Sequence, residues 1–107
     1  MKKLLVSCLT LLFAGAMSLH AATAKETYDH DCAKCHGKDG KGQTFMGKRF
    51  HIKDYTNPKV QKEFKDEALV KAIKDGVKSK HMPAFGGKLN DTQIKDLVAY
   101  IRHFAKK

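Results

Sequence analysis

The sequence has no apolar run long enough to cross a bilayer, too few cysteines for a disulfide framework, and no stretch of alternating polarity that would make a strand. Each shortage excludes something. A spanning helix needs about 20 predominantly apolar residues, and the strongest run, Leu4 to Phe13, falls short. Of three cysteines, Cys8 lies near the N-terminus and only Cys32 and Cys35 lie in the main body, which leaves no second pair to cross-link. Acidic side chains are scarce too, 11 against 21 lysines and arginines in 107 residues. Such an excess suits nucleic acid, anionic lipid or an acidic protein. No basic stripe is interleaved with the stacking aromatics that single-strand binders use, so the expected partner is an acidic protein and not nucleic acid.

What is present begins with a leader. Residues 1–24 combine Lys2 and Lys3, the apolar run, and the small-x-small triplet Ala22-Thr23-Ala24, the three parts of a cleavable signal peptide. The "LVSC" around Cys8 looks like a lipoprotein box, but apolar residues continue past it, whereas a signal's apolar region of about 7 to 15 residues should precede the processing site. Cleavage after Ala24 removes Cys8 and leaves one domain, residues 25–107, which is 107 less 24, or 83 residues. Without Lys2 and Lys3 its charged residues number 19 basic and 11 acidic, a formal +8. The expectation is a monomer exported to the periplasm, with no stable membrane insertion after cleavage. A lysine-rich chain of this size buries only about 60 to 65% of its unfolded surface. Something besides side chains should therefore fill its middle.

Residues 25–35 are good helix formers closed by "HGKDGKG". From Gly37 to Asn57 no period is sustained, and the segment reads as loop. Asn57 and Pro58 open a short helix, Asp66 is placed to cap another that stops at Gly76, and residues 77–89 read as a second loop. Last comes an amphipathic helix: Asn90 and Gln93 form a capping box, Leu89 and Ile94 occupy staple positions, and Ile94, Leu97, Val98, Ile101 and Phe104 follow a helical period. The fold class is all-α, about four short helices.

The first of those helices delivers "CAKCH" at its end. Two thiols and an imidazole at this spacing admit a redox dithiol, half a zinc site, or covalent attachment of haem c. A redox pair needs a βαβ setting that a helical chain lacks, and among His30, His51, His81 and His103 no pair has second-knuckle spacing for zinc. Haem attachment needs two thiols that reach two vinyl groups and an imidazole that reaches the iron. Cys32, Cys35 and His36 meet that need, with His36 as proximal ligand. For the iron's other face the sequence offers Met46, Met82, His30, His51, His81 and His103. Met82, in a glycine- and proline-containing loop beside Pro83, stands out, and His81 competes with it.

"CAKCHG" near the start of the domain, "MPAF" in the loop before the last helix and "LVAYIRHF" within that helix together resemble the small bacterial class I c-type cytochromes, over nearly the whole domain. The resemblance implies a fold wrapped around one covalent haem c, His36 and Met82 as axial ligands of the iron, and Leu97 and Tyr100 packing the last helix near Tyr28. It implies a one-electron carrier between larger redox proteins, not an enzyme. Phe45, Phe50, Phe64, Ile73, Phe85, Leu97 and Ile101 are candidates for the haem pocket, and Arg49 and Tyr55 for contacts to its propionates. Lys71, Lys74, Lys78, Lys80 and Lys88 flank the Met82 loop as a docking face for an acidic partner. The rival readings are a peroxidase-like enzyme and a gas sensor, both with an open or displaceable sixth position, and both betrayed by prompt CO binding.

Overall fold

The computed structural model describes residues 24–106; Cys8 and the expected leader as far as Thr23 lie outside them. The first helix, α1, covers 24–36. It widens to a π-helical stretch at Tyr28–Cys32, where the Ala33 N–H reaches back to the Tyr28 carbonyl, and tightens again at Ala33–His36. Such widening concentrates at functional sites, and here it ends on the first motif cysteine. Then follow α2 (Phe45–Arg49), α3 (Pro58–Glu63), α4 (Asp66–Asp75), a 3-10 turn at Lys78–Lys80 and α5 (Asp91–His103). Among the described residues the only β-type pairing is an isolated bridge between Val77 and Met82. The all-α expectation holds.

The core is built where α5 crosses the rest. Ile94, Leu97, Val98 and Ile101 on one face of α5 meet Leu69 and Ile73 of α4 and Tyr28 and Ala33 of α1. Each large aliphatic buried there contributes about 1.5 to 3 kcal/mol. The Tyr28 ring lies 5.1 Å from Tyr100 and 5.2 Å from Phe104, centroid to centroid, which confirms the expected junction of first and last helices. The α5 capping box is formed as the sequence indicates: Asn90 Oδ1 accepts from Gln93 N at 2.8 Å and Gln93 Oε1 from Asn90 N at 2.9 Å. A cap of this kind is worth about 1 kcal/mol.

Polar groups tie α3 and the turn after it to α5. Buried Gln61 donates through Nε2 to the carbonyls of Tyr55 (2.8 Å) and Ile101 (2.9 Å). Arg102 donates to the carbonyls of Gln61 (2.5 Å) and Phe64 (2.6 Å) and pairs with Asp66 at 2.8 Å. The planar guanidinium can serve all of these at once because its donors point in fixed, divergent directions.

Three details depart from the sequence reading. The segment 37–57 is not wholly loop, because Thr44 caps α2 by accepting from the Gly47 N–H at 2.9 Å. Asp66 is the first residue of α4 rather than its cap; Lys65 takes the cap position and makes no side-chain cap bond. Phe45, a candidate for an apolar pocket, is 79% exposed, because α2 turns that side chain outward.

Candidate functional site

Cys32 and Cys35 sit on consecutive turns of α1, half-buried and unpaired. The spacing of three places both sulfurs on one side of the helix. Burial, with the Asp31 carboxylate and Cys35 nearby, pushes the Cys32 thiol up to about 12. A redox dithiol works the other way, through a thiol whose pKa is lowered so that it attacks as thiolate. Among the described residues no three His, Cys, Asp or Glu side chains gather as a metal cluster, and zinc loses its second pair of ligands.

His36 closes the helix. Burial lowers its pKa, so the ring is held neutral, and its buried Nδ1 has no hydrogen-bond partner. A neutral imidazole with an unsatisfied nitrogen is costly in an interior unless something binds it. The Tyr55 ring stacks on it, centroids 5.4 Å apart and planes inclined 19°. The backbone around His36 is held from several sides. Tyr28 Oη donates to the Gly37 carbonyl at 2.7 Å, and the Gly42 N–H bonds to the His36 carbonyl at 2.8 Å. Thr44 Oγ1 donates to the Cys35 carbonyl at 2.6 Å. Gly47 fits so closely that a Cβ there would run into the carbonyl oxygens of Gly42 and Cys35. The sequence reading missed Thr44 and Gly47; the only trace of them is a Thr three residues before a Gly in an otherwise aperiodic segment.

Met82 follows the 3-10 turn after α4. Its N–H and C=O pair with Val77, at 3.0 and 2.9 Å, and it packs half-buried against the core cluster, as Cys32, Tyr55, Phe64 and Phe85 also do. Gly76, with φ +76°, ends α4, and a Cβ at that position would meet the Met82 carbonyl at 2.7 Å. The loop then returns to α4, where Phe85 N and Gly86 N bond to the carbonyls of Ile73 (2.9 Å) and Lys74 (3.0 Å). Carbonyls at the C-terminal end of α4 are thereby satisfied and the Met82 loop is anchored.

Burial sorts the candidates for a second ligand. His30, His51, His81 and His103 are all exposed, while Met46 and Met82 are half-buried. His30 is engaged with Asp31 at 2.8 Å, and His81 stacks on Phe50. Arg49 is exposed, its guanidinium 6.0 Å from the Phe50 ring centroid. Paired thiols on a half-buried helix face, a neutral imidazole with an orphaned nitrogen, and partly buried apolar side chains around them suit a porphyrin and its iron.

Known proteins agree with that chemistry. The family model described as cytochrome C oxidase, cbb3-type, subunit III matches residues 20–101. The cbb3-type cytochrome c oxidase subunit FixPc of Rhizobium leguminosarum bv. viciae is 32% identical over 76% of the chain, which spans only 26% of that subunit. Cytochrome c6 of a Picosynechococcus species is 34% identical over 94% of the chain and 92% of the relative. Cytochrome c-555 of Chlorobaculum tepidum is 33% identical over 91% and 88%. Among solved structures, the KustC0563 c-type cytochrome superposes with a TM-score of 0.70 at 28% identity, covering 76% of this chain and 95% of its own.

Proposed function

The chain belongs to the small class I c-type cytochromes, whose cofactor is a covalent haem c, and from that premise we propose a periplasmic one-electron carrier with His36 and Met82 as the two axial ligands. The observation that carries the ligand assignment is the division by burial: among the described residues the imidazoles other than His36 are exposed, and Met82 of the anchored loop is half-buried and packed on the core. Met46, also half-buried, is only ten positions beyond His36 and rides on α2, which is fastened to the Cys35 carbonyl. Met82 comes from a separate loop, between the 3-10 turn and α5.

Cys32 and Cys35 would hold the porphyrin through thioether bonds. Each would form by addition of a thiol S–H across a vinyl double bond, sulfur to one carbon and hydrogen to the other, with no net oxidation. His36 supplies a neutral nitrogen, kept neutral by burial, and Met82 a thioether that raises the potential relative to two imidazoles. With His36 and Met82 both held on the iron, the haem would supply one-electron transfer with no position open to substrate, which separates a carrier from a peroxidase or a gas sensor. Tyr55, Phe64 and Phe85, half-buried against the core, would keep water from the ring and push the potential the same way.

Among the described residues no helix is long and apolar enough to cross a membrane. Export rests on the leader signals in residues 1–24, and the +8 of residues 25–107 favours an acidic redox partner. The test is the absorption spectrum of the purified protein, oxidised and reduced, with a pyridine haemochrome assay and exposure to CO. We expect thioether-linked haem c, a ferric methionine–iron charge-transfer band and inertness to CO. Met82→Ala should lose the band, bind CO promptly and have a lower potential. A wild type that binds CO promptly and lacks the band would sink the carrier reading in favour of catalysis or sensing.

A further inference from the structure

Two loops far apart in sequence meet beside Met82. One runs from α2 to His51, the other from the 3-10 turn to Met82. Among the described residues, His51 (φ +55°) and His81 (φ +58°) are the only non-glycine residues in left-handed backbone. A side chain normally avoids that region, so a residue held there signals that its surroundings dictate the geometry. At His81 the reversal turns the chain from Lys80 back to Met82, whose N–H and C=O can then both reach Val77.

Two contacts hold the reversal in place. The His81 ring stacks on Phe50, centroids 4.4 Å apart and planes inclined 27°. Beside it, Lys80 Nζ donates to the Phe50 carbonyl at 3.2 Å. The Phe50 N–H is itself bonded to the Met46 carbonyl at 3.0 Å, and Ile52 N to the Gly47 carbonyl at 2.9 Å, so the loop bearing Phe50 is fixed to α2. Helix α2 in turn hangs on the Cys35 carbonyl through Thr44. A continuous protein path thus runs from the haem-attachment turn through Phe50 to His81 and Met82.

We propose that the Phe50–His81 stack is a clasp that positions Met82: it couples the loop bearing the sulfur ligand to the helix bearing Cys35, and so keeps the sixth position closed. This rests on the reading of Met82 as ligand. Neither ring touches the iron, and both act through the backbone of the Met82 loop. The clasp consists of exposed or half-exposed rings, so its loss should open the loop without unfolding the α4–α5 core.

The experiment uses the holoprotein and four variants: Phe50→Ala, His81→Ala, His81→Gly and His81→Phe. The readouts are the ferric methionine–iron band, the midpoint potential and the rate of CO binding to the reduced form, with far-ultraviolet circular dichroism as a control for folding. Phe50→Ala and His81→Ala should weaken the band, lower the potential and speed CO binding about tenfold or more, in proportion to the open fraction. His81→Phe restores a stacking ring and should return the band. His81→Gly relieves the left-handed backbone but removes the ring, so it should resemble His81→Ala. If His81→Gly behaves as wild type, the geometry of the turn and not the stack matters, and the clasp is wrong. A wild type with the band and alanine variants that keep it unchanged also overturn the clasp while leaving Met82 as ligand. A wild type without the band, or one matched by Met82→Ala in every readout, overturns the ligand reading and the clasp together.

Discussion

Tyr28 sits where the first and last helices meet, and its hydroxyl makes one bond, to the carbonyl of the residue after His36. Burial raises its pKa above the ordinary tyrosine range, and burial raises that of Tyr55 beside His36 as well. The folded protein therefore keeps two phenolic protons at a pH where an unfolded chain, titrating near 10, has released them. Because the unfolded state binds fewer protons there, stability must fall as pH rises above 10 and is fully present below it. Tyr28→Phe loses the bond while the Gly37 carbonyl keeps the Gly40 N–H at 3.0 Å, a cost of about 0.5 to 1.5 kcal/mol at neutral pH. The variant also lacks the ionisation, so the gap between wild type and variant should narrow by about 1.4 kcal/mol for each pH unit above 10. Denaturant unfolding of both holoproteins from pH 7 to 11 measures this; curves that stay parallel throughout would show that Tyr28 does not carry the alkaline dependence.

Helix α2 shows how an element only five residues long can govern a site. It has no period to speak of, exposes Phe45 and contains a glycine, yet it fixes the attachment turn through Thr44 and through the tight seat of Gly47. Gly47→Ala should lift α2 from the turn, since the new methyl meets backbone oxygen on both sides and neither can yield as a side-chain tip would. The expected result is a several-fold lower haem content per chain by haemochrome assay, where overpacking of this kind costs about 1 to 3 kcal/mol; normal haem content would show that α2 is a passenger. The same element explains what could be read from the sequence. Helix α5 was legible in detail because its cap, staple and period lie within one stretch, and "CAKCH" because its meaning is in its spacing. Helix α2 was not, because the partner that holds it, the Cys35 carbonyl, is nine residues away. The left-handed turns at His51 and His81 were equally hidden: each costs about 1 to 3 kcal/mol, and at His81 the stack on Phe50 of another loop offsets that cost.

On the scale of the molecule, the excess of positive charge is the feature that a partner meets first. With haem bound it would disfavour the more positive ferric state, and it would attract an acidic surface over distances that salt cuts to about 8 to 10 Å. The five lysines that flank the Met82 loop in sequence are not equivalent in the fold. Lys74 lies 3.7 Å from Asp91, Lys88 lies 3.6 Å from Asp31, and Lys80 donates to the Phe50 carbonyl. Reversing any of these would disturb local structure as well as charge. Lys71, on the outer side of α4, and Lys78, in the 3-10 turn before Met82, are exposed and outside those contacts. The pair Lys71→Glu and Lys78→Glu therefore isolates the field. If this face steers an acidic redox partner, the double reversal should slow second-order electron transfer about tenfold at low ionic strength and flatten its salt dependence. The spectrum and the methionine–iron band should stay as in wild type. An unchanged rate and salt slope would mean that these lysines serve only to keep the surface solvated, and that encounter occurs through another face.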